Sequence, residues 1–241
     1  MLAVQLSNIA RLPREQRHAL AAYGARATWP AGFSVYDRGA HADGIFIVLR
    51  GQVVIRTQAT SRRAFVLWVA TAGETFGGEG LEPSSSYPSH ARAEEESVTL
   101  HIGSARFSTL LREQPALALT LIRQIVAERT ALLEKVGQHA TLTVEQRLVA
   151  ALIRLAHSGE TDDAVPRPAM VSRRLLGELV GATRESISLV IGRLTSDGLI
   201  SRDGTGLVIN DLRRLSGRLD AVGRGEVRLD GIDESGSEAR A

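Results

Sequence analysis

Residues 171–209, VSRRLLGELVGATRESISLVIGRLTSDGLISRDGTGLVI, constrain the fold more tightly than any other stretch of this chain. Leu175, Leu176 and Leu179 form the apolar face of one short helix. Gly181 follows, and glycine just past a helix end permits the tight turn by which a second helix crosses the first. Thr183 stands at the N-cap position of that second helix. Ile187, Val190, Ile191 and Leu194 then point inward at helical spacing, which leaves Arg184, Glu185 and Ser188 outside. The pattern predicts a helix-turn-helix. The stretch DGLISRDGTGLVIND that follows reads as a β-hairpin with its turn at Asp203-Gly204, which makes the motif winged.

The chemistry of such a unit suits double-stranded DNA. A helix N-terminus in the major groove presents N–H groups to phosphates and side chains to base edges. Arg184 can pair with guanine in bidentate fashion, and Glu185 can accept from a cytosine amine. Ser172, Arg173 and Thr183 are suited to phosphates. Bulk charge does not carry this reading, because 29 basic residues against 27 acidic leave a net charge of only +2. Local placement does: residues 167–193 hold five arginines and two glutamates. The competing use of a winged helix, protein contact alone, gives those arginines no role.

Upstream, the first region to about residue 112 holds short apolar runs separated by glycine. IFIVLRGQVVIR (45–56) reads as two strands broken by Gly51, and AFVLWVATAG (64–73) and SVTLHIG (97–103) continue the pattern. A helix over 12–24 precedes them, and 32–44 supplies turns. Closely spaced short strands predict a barrel or jelly roll. From Pro115 the period changes to that of one long helix reaching Ala140. Ala118, Ile122, Ile125, Arg129, Leu132 and Val136 recur at 4-3-4-3-4 spacing, the mark of a dimer seam. The alternative is that this stripe packs on the barrel. Residues 143–158 form another amphipathic helix, and 159–169 read as a polar, proline-bearing loop. The expected division is a sensor domain over 1–114, a dimerisation helix over 115–141 and a DNA-binding domain over 142–219. The tail 220–241, with six acids against three arginines and no periodicity, is expected to be disordered.

These residues, in this order, resemble the cyclic-AMP receptor protein / fumarate-nitrate regulator (Crp/Fnr) superfamily of bacterial transcription regulators. The likeness covers about residues 12–215 and rests on GIFIVLRGQVVI, GETFG, EKVG, TVEQRLVAALIRLA and above all VGATRESISLVIGRL with DGLIS. It implies an α+β chain: an N-terminal β-roll, a long dimerisation helix and a C-terminal winged helix-turn-helix. It further implies a homodimer on two-fold symmetric promoter DNA, with RNA polymerase as a further partner. By position, Arg184, Glu185 and Ser188 match the family's base-reading residues. Leu189 stands where arginine is usual, and it can meet only a thymine methyl.

The resemblance also places an effector cassette after GETFG, in GETFGGEGLEPSSSYPSH (73–90). Its glycines and serines suit either a phosphate cradle or an ordinary loop. Aligned without gaps, the family's ribose glutamate falls on Gly78, one residue before Glu79, and its phosphate-binding Arg-Ser pair falls on Tyr87 and Pro88. No arginine occurs from 64 to 91. The adenine-reading pair on the long helix falls on Leu132 and Leu133. The candidate pocket is therefore Gly77, Gly78, Glu79, Tyr87, Pro88, Leu132 and Leu133. Cyclic AMP is not expected, since its phosphate would lose a charge-assisted pair and its base every polar partner.

No cofactor is expected. The chain has no cysteine, which excludes disulfides, iron–sulfur clusters and thiolate zinc, and its six histidines are scattered. His90 is the nearest candidate for haem. An unknown small effector or none is left, with a cyclic-nucleotide- or haem-dependent regulator of the same fold as the alternative. Cupin-type enzyme chemistry lacks its clustered histidines, so no enzymatic activity is expected. No run of eighteen apolar residues crosses a membrane, and the first residues lack a secretory leader's pattern, so the expected place is the cytoplasm.

Overall fold

Strand pleating explains the first domain. Each strand sends alternate side chains to opposite faces, so a continuous apolar run must be covered on both. The computed structural model describes residue 9 and residues 12–59, 63–158, 172–203 and 206–220. Helix α1 (Arg14–Ala21) leads into β1 (Ala25–Trp29), β2 (Ser34–Tyr36), β3 (Gly44–Arg50), β4 (Gln52–Ala59), β5 (Arg63–Thr71), β6 (Thr75–Phe76), β7 (His90–Ala93) and β8 (Ser97–Gly103). They form two antiparallel four-stranded sheets, β1-β8-β3-β6 and β2-β7-β4-β5. In β3, Phe46 and Val48 join Trp68, Phe76 and Tyr87 in one core, while Ile45 and Ile47 pack with Leu100, Leu110 and Leu121 in another. Gly51 joins β3 to β4 at φ 83°, where a side chain would lie 2.5 Å from the Glu96 carbonyl oxygen. Strands β1, β2 and β7 carry too little apolar pattern to be foreseen and are held by their ladders.

Helix α2 (Ser104–Glu113) closes the roll, and α3 (Pro115–Thr141) runs for 27 residues from the proline that the sequence marks as its start. Its inner side buries Leu117, Ala118, Leu121, Gln124 and Ala127 against the roll. The Gln124 amide donates to the Gly73 carbonyl at 2.9 Å. Leu142 and Thr143 then link α3 to α4 (Val144–Ser158). The C-terminal unit adds α5 (Arg173–Val180), α6 (Arg184–Ser196), the hairpin β9 (Ile200–Asp203) and β10 (Gly206–Ile209), and α7 (Leu212–Asp220). Leu148, Leu152, Leu155, Leu175, Leu176, Ile187 and Leu194 are its buried centre. The predicted loop over 159–169, Gly204 of the predicted turn and the tail beyond 220 lie outside the described residues.

Two seam expectations are corrected: Ala118 is fully buried in the roll's core and Ile125 packs against that core, while Leu132 is half-buried. The exposed stripe is Leu119, Ile122, Val126, Arg129, Leu133 and Val136, again at 3-4 spacing. The helix is apolar on two adjacent stripes, and the roll takes one of them.

Candidate nucleic-acid interface

The two helices of the C-terminal unit are set by their caps. The Ser172 hydroxyl accepts from the Leu175 N–H at 3.1 Å, opening α5. That helix ends at Gly181, whose φ of 70° is the left-handed geometry that glycine tolerates. The turn is tight: a side chain on Gly177 would lie 2.9 Å from the Ala182 carbonyl oxygen. Thr183 then caps α6 by accepting from the Ser186 N–H at 3.2 Å. Ile187, Val190, Ile191 and Leu194 are buried, so the opposite edge of α6 must face out.

That outer edge carries the expected reading residues. Arg184 and Glu185 are exposed at the helix N-terminus, and Ser188 is half-buried one turn on. Leu189 is 66% exposed, high for an apolar side chain on a helix whose other large apolar residues are covered. Among the expected phosphate contacts, Ser172 and Thr183 are exposed but spend their oxygens as caps, and Arg173 is half-buried. Arg193 on α6, which the sequence reading counted only toward the local charge, and Arg202 on the wing, which it did not single out, are both exposed on this module. It also counted Arg174 toward the local positive charge, whereas that guanidinium pairs with Glu178 at 2.6 Å and Glu94 at 3.5 Å.

The expected effector cassette has a different character. Gly77 sits at φ 71°, where a side chain would meet Phe46, Tyr36 and Tyr87 within 3.1–3.4 Å. Gly78 lies over Ile125 of α3. Tyr87 is 3% exposed and stacks on Tyr36 with ring centroids 3.7 Å apart. Burial and the nearby Asp43 carboxylate push its phenol up to about 12. Glu79 is exposed on a short 3-10 turn. It faces Glu128 of α3, whose carboxyl is pushed up to about 8 by burial, then by Glu79 and Glu74. Pro88 is exposed and Leu132 half-buried. Leu133 is 63% exposed and lies on the free stripe of α3. His90 lies 3.3 Å from Asp37 Oδ1, while the Arg38 N–H donates to the same ring nitrogen at 3.4 Å. Tyr36 and Glu128 were missed by the sequence reading, being 51 and 41 residues in sequence from Tyr87.

Comparison with known proteins places both halves. Residues 146–218 match the family model of the Crp-like helix-turn-helix domain, and residues 26–114 match that of the cyclic nucleotide-binding domain. The chain is similar to the cAMP-activated global transcriptional regulator CRP of Salmonella typhimurium, 24% identical over 190 residues, covering 77% of this chain and 89% of that protein. It is likewise similar to the cAMP-activated global transcriptional regulator Vfr of Pseudomonas aeruginosa, 26% identical over 198 residues, covering 79% and 91%. FixK2 from Bradyrhizobium japonicum shares the fold at a TM-score of 0.70 and 18% identity, over 80% of this chain and 96% of that one. The c-di-GMP responsive global regulator CLP of Xanthomonas campestris shares it at 0.65 and 24%, over 83% and 100%.

Proposed function

The chain belongs to the Crp/Fnr superfamily of transcription regulators, and from that premise we propose that it reads two-fold symmetric promoter DNA as a homodimer without answering to cyclic AMP. The observation that carries the DNA reading is α6: capped by Thr183, buried at Ile187, Val190, Ile191 and Leu194, and offering Arg184, Glu185, Ser188 and Leu189 on its free edge. Arg184 pairs with a guanine, Glu185 accepts from a cytosine, and Leu189 lies on a thymine methyl. Ser172, Arg173 and Thr183 meet phosphates, joined by Arg193 and Arg202. The exposed stripe of α3 supports the homodimer, since five large apolar residues on one helix face call for a partner surface. The division of labour is a roll over 1–114, a dimer helix over 115–141 and a reader over 142–219, working in the cytoplasm with RNA polymerase as a further partner.

The effector reading rests on the cassette. Its aromatic pair Tyr36–Tyr87 is stacked and buried, and the charged groups that act on it, Asp43, Glu79 and Glu128, are acids. A cyclic phosphate brought there meets the Glu79 carboxylate, the protonated Glu128 carboxyl and no arginine from residues 64–91, an unfavourable exchange for its hydration shell. The test is binding-site selection followed by titration over salt, with calorimetry against cyclic AMP beside it. A palindromic site whose half-sites lie about one DNA turn apart, and affinity falling steeply with salt, are expected. Affinity that is flat with salt would refute the DNA reading; cyclic-AMP binding that raises DNA affinity would refute the effector reading.

A further inference from the structure

Strands β4 and β5 are apolar on both faces, yet the roll uses only one. Val53, Ile55, Trp68 and Ala70 point into the roll, while Val54, Val66 and Val69, all fully buried, belong to the core of the C-terminal unit. The winged helix is thus docked on the roll of its own chain, with α5 lying against β5. The α5–α6 turn touches the same place. Gly181 lies against His139 of α3 and Phe65 of β5, and His139 meets Phe65 edge-on at 5.0 Å. The Lys135 ammonium, one turn earlier on α3, donates to the Val66 carbonyl.

At the rim of this apolar seam four charges close a ring. Arg56 Nη2 of β4 donates to Glu94 Oε2 at 2.9 Å, and Arg56 Nε donates to Glu178 Oε2 of α5 at 3.0 Å. Arg174 of α5 donates to the remaining oxygens, Glu178 Oε1 at 2.6 Å and Glu94 Oε1 at 3.5 Å. Signs alternate around the ring, and each carboxylate gives one oxygen to each arginine. Arg56, Glu94 and Glu178 are only 14%, 23% and 18% exposed, whereas the roll's Arg50–Glu96 pair is 66% and 65% exposed. Removing one member of a shielded ring leaves its neighbours short of a partner, so this ring costs far more to break than a surface pair.

The ring also sits next to the sensor cassette in the chain. Strand β7 starts at His90, directly after the 77–89 loop, and ends at Ala93, so Glu94 is its next residue. Strand β7 is laddered to β4, with His90 opposite Arg56. The Tyr36–Tyr87 stack is thus tied through β7 to one acid of the ring and, through the β4 ladder, to one of its arginines. The other side of the ring belongs to the helix that precedes the reader α6. The short Leu142–Thr143 link joins α3 to α4 and so to the C-terminal unit.

We propose that Arg56, Glu94, Arg174 and Glu178 form a catch that holds the winged helix on the roll, placing the orientation of the reader under the control of the cassette strand. This rests on the proposed DNA-reading function only for its consequence on binding. The test is hydrogen exchange on the full-length protein, without DNA, for Arg56→Gln, Glu178→Gln and the double variant, with Arg50→Gln as control. Each single change is expected to raise exchange in β5 and α5 together by about tenfold, with the double no greater than the larger single, as for members of one coupled network. The control is expected to leave both unchanged. Arg174→Gln, at the ring's exposed corner, gives a milder form of the same pattern should Arg56→Gln not fold. Additive effects, or a rise confined to one side of the seam, would overturn the catch. In a second arm, Glu178→Gln is expected to lower affinity for the selected DNA site by about fivefold or more, as coupling across a domain seam does; unchanged affinity would overturn control of the reader. Wild-type protein that binds no DNA would instead defeat the proposed function and leave the exchange result standing.

Discussion

Leu133→Asp tests the dimer at its most informative position. Leu133 is 63% exposed on the free stripe of α3, between Val126 at 57% and Val136 at 70%. Full burial of a leucine is worth ~1.5–3 kcal/mol; scaled by that exposure, the seam gains about 1–2 kcal/mol per protomer and about 2–4 kcal/mol per dimer from this residue. Replacing it removes that term in both copies and sets two carboxylates into an apolar seam, so the loss is a lower bound. The dimer dissociation constant is expected to rise by at least about 30- to 1,000-fold. Sedimentation equilibrium over a range of concentrations reads this directly, with Leu111→Asp on α2 as the control, since Leu111 is also exposed but off the stripe. The folded monomer should keep its helical circular-dichroism signal, because Leu133 contributes nothing to the described cores. An unchanged dimer constant for Leu133→Asp would refute the seam. A large effect from Ile125→Asp on association, with folding intact, would favour the register read from the sequence instead.

Arg184→Ala should cost about 1–3 kcal/mol at one base pair of the selected site and little on unrelated DNA, measured by competition binding. Leu189→Arg should shift selection at a neighbouring position from thymine toward guanine; an unaltered selected site would show that this edge of α6 does not face the bases. Gly181→Ala forces a side chain to φ 70° within 3.0 Å of His139, and a urea titration should show about 1–2 kcal/mol of lost stability. Glu128, pushed up from 4.5 to about 8, keeps in the folded state a proton that the unfolded chain releases, so stability falls as pH rises through that window. Glu128→Gln should flatten the fall in melting temperature between about pH 5 and pH 7; equal slopes for variant and wild type would rule out a buried, proton-holding carboxyl there.

The reader was legible because its determinants are local. Caps, a left-handed glycine and 3.6-residue periodicity act within a few residues of one another, so Ser172, Gly181 and Thr183 could be placed from the chain alone. The same holds for Pro115 at the start of α3 and Gly51 between β3 and β4. Where one helix carries two apolar stripes a residue apart, periodicity cannot say which one the roll takes. Ala118, Ile125 and Leu132 and the stripe Leu119, Val126 and Leu133 satisfy the same spacing rule, and only the packing of Ala118 and Ile125 on the roll shows which stripe is covered.

By itself, then, the sequence determined the order of the elements, the helix-turn-helix with its exposed edge, and the absence of an arginine from the cassette, all of which depend on residue identity and short spacing. The tertiary structure alone decided which face of α3 is free, that Tyr87 is stacked on Tyr36, that Glu79 and Glu128 face each other, and that Arg56 reaches Glu178. The physical reason is distance along the chain. Arg56 and Glu178 are 122 residues apart, Arg56 and Glu94 are 38 apart, and nothing in the flanking residues of either announces the other. Such pairs come together because β4 and β5 have a second apolar face to bury, and the winged helix is the surface that covers it.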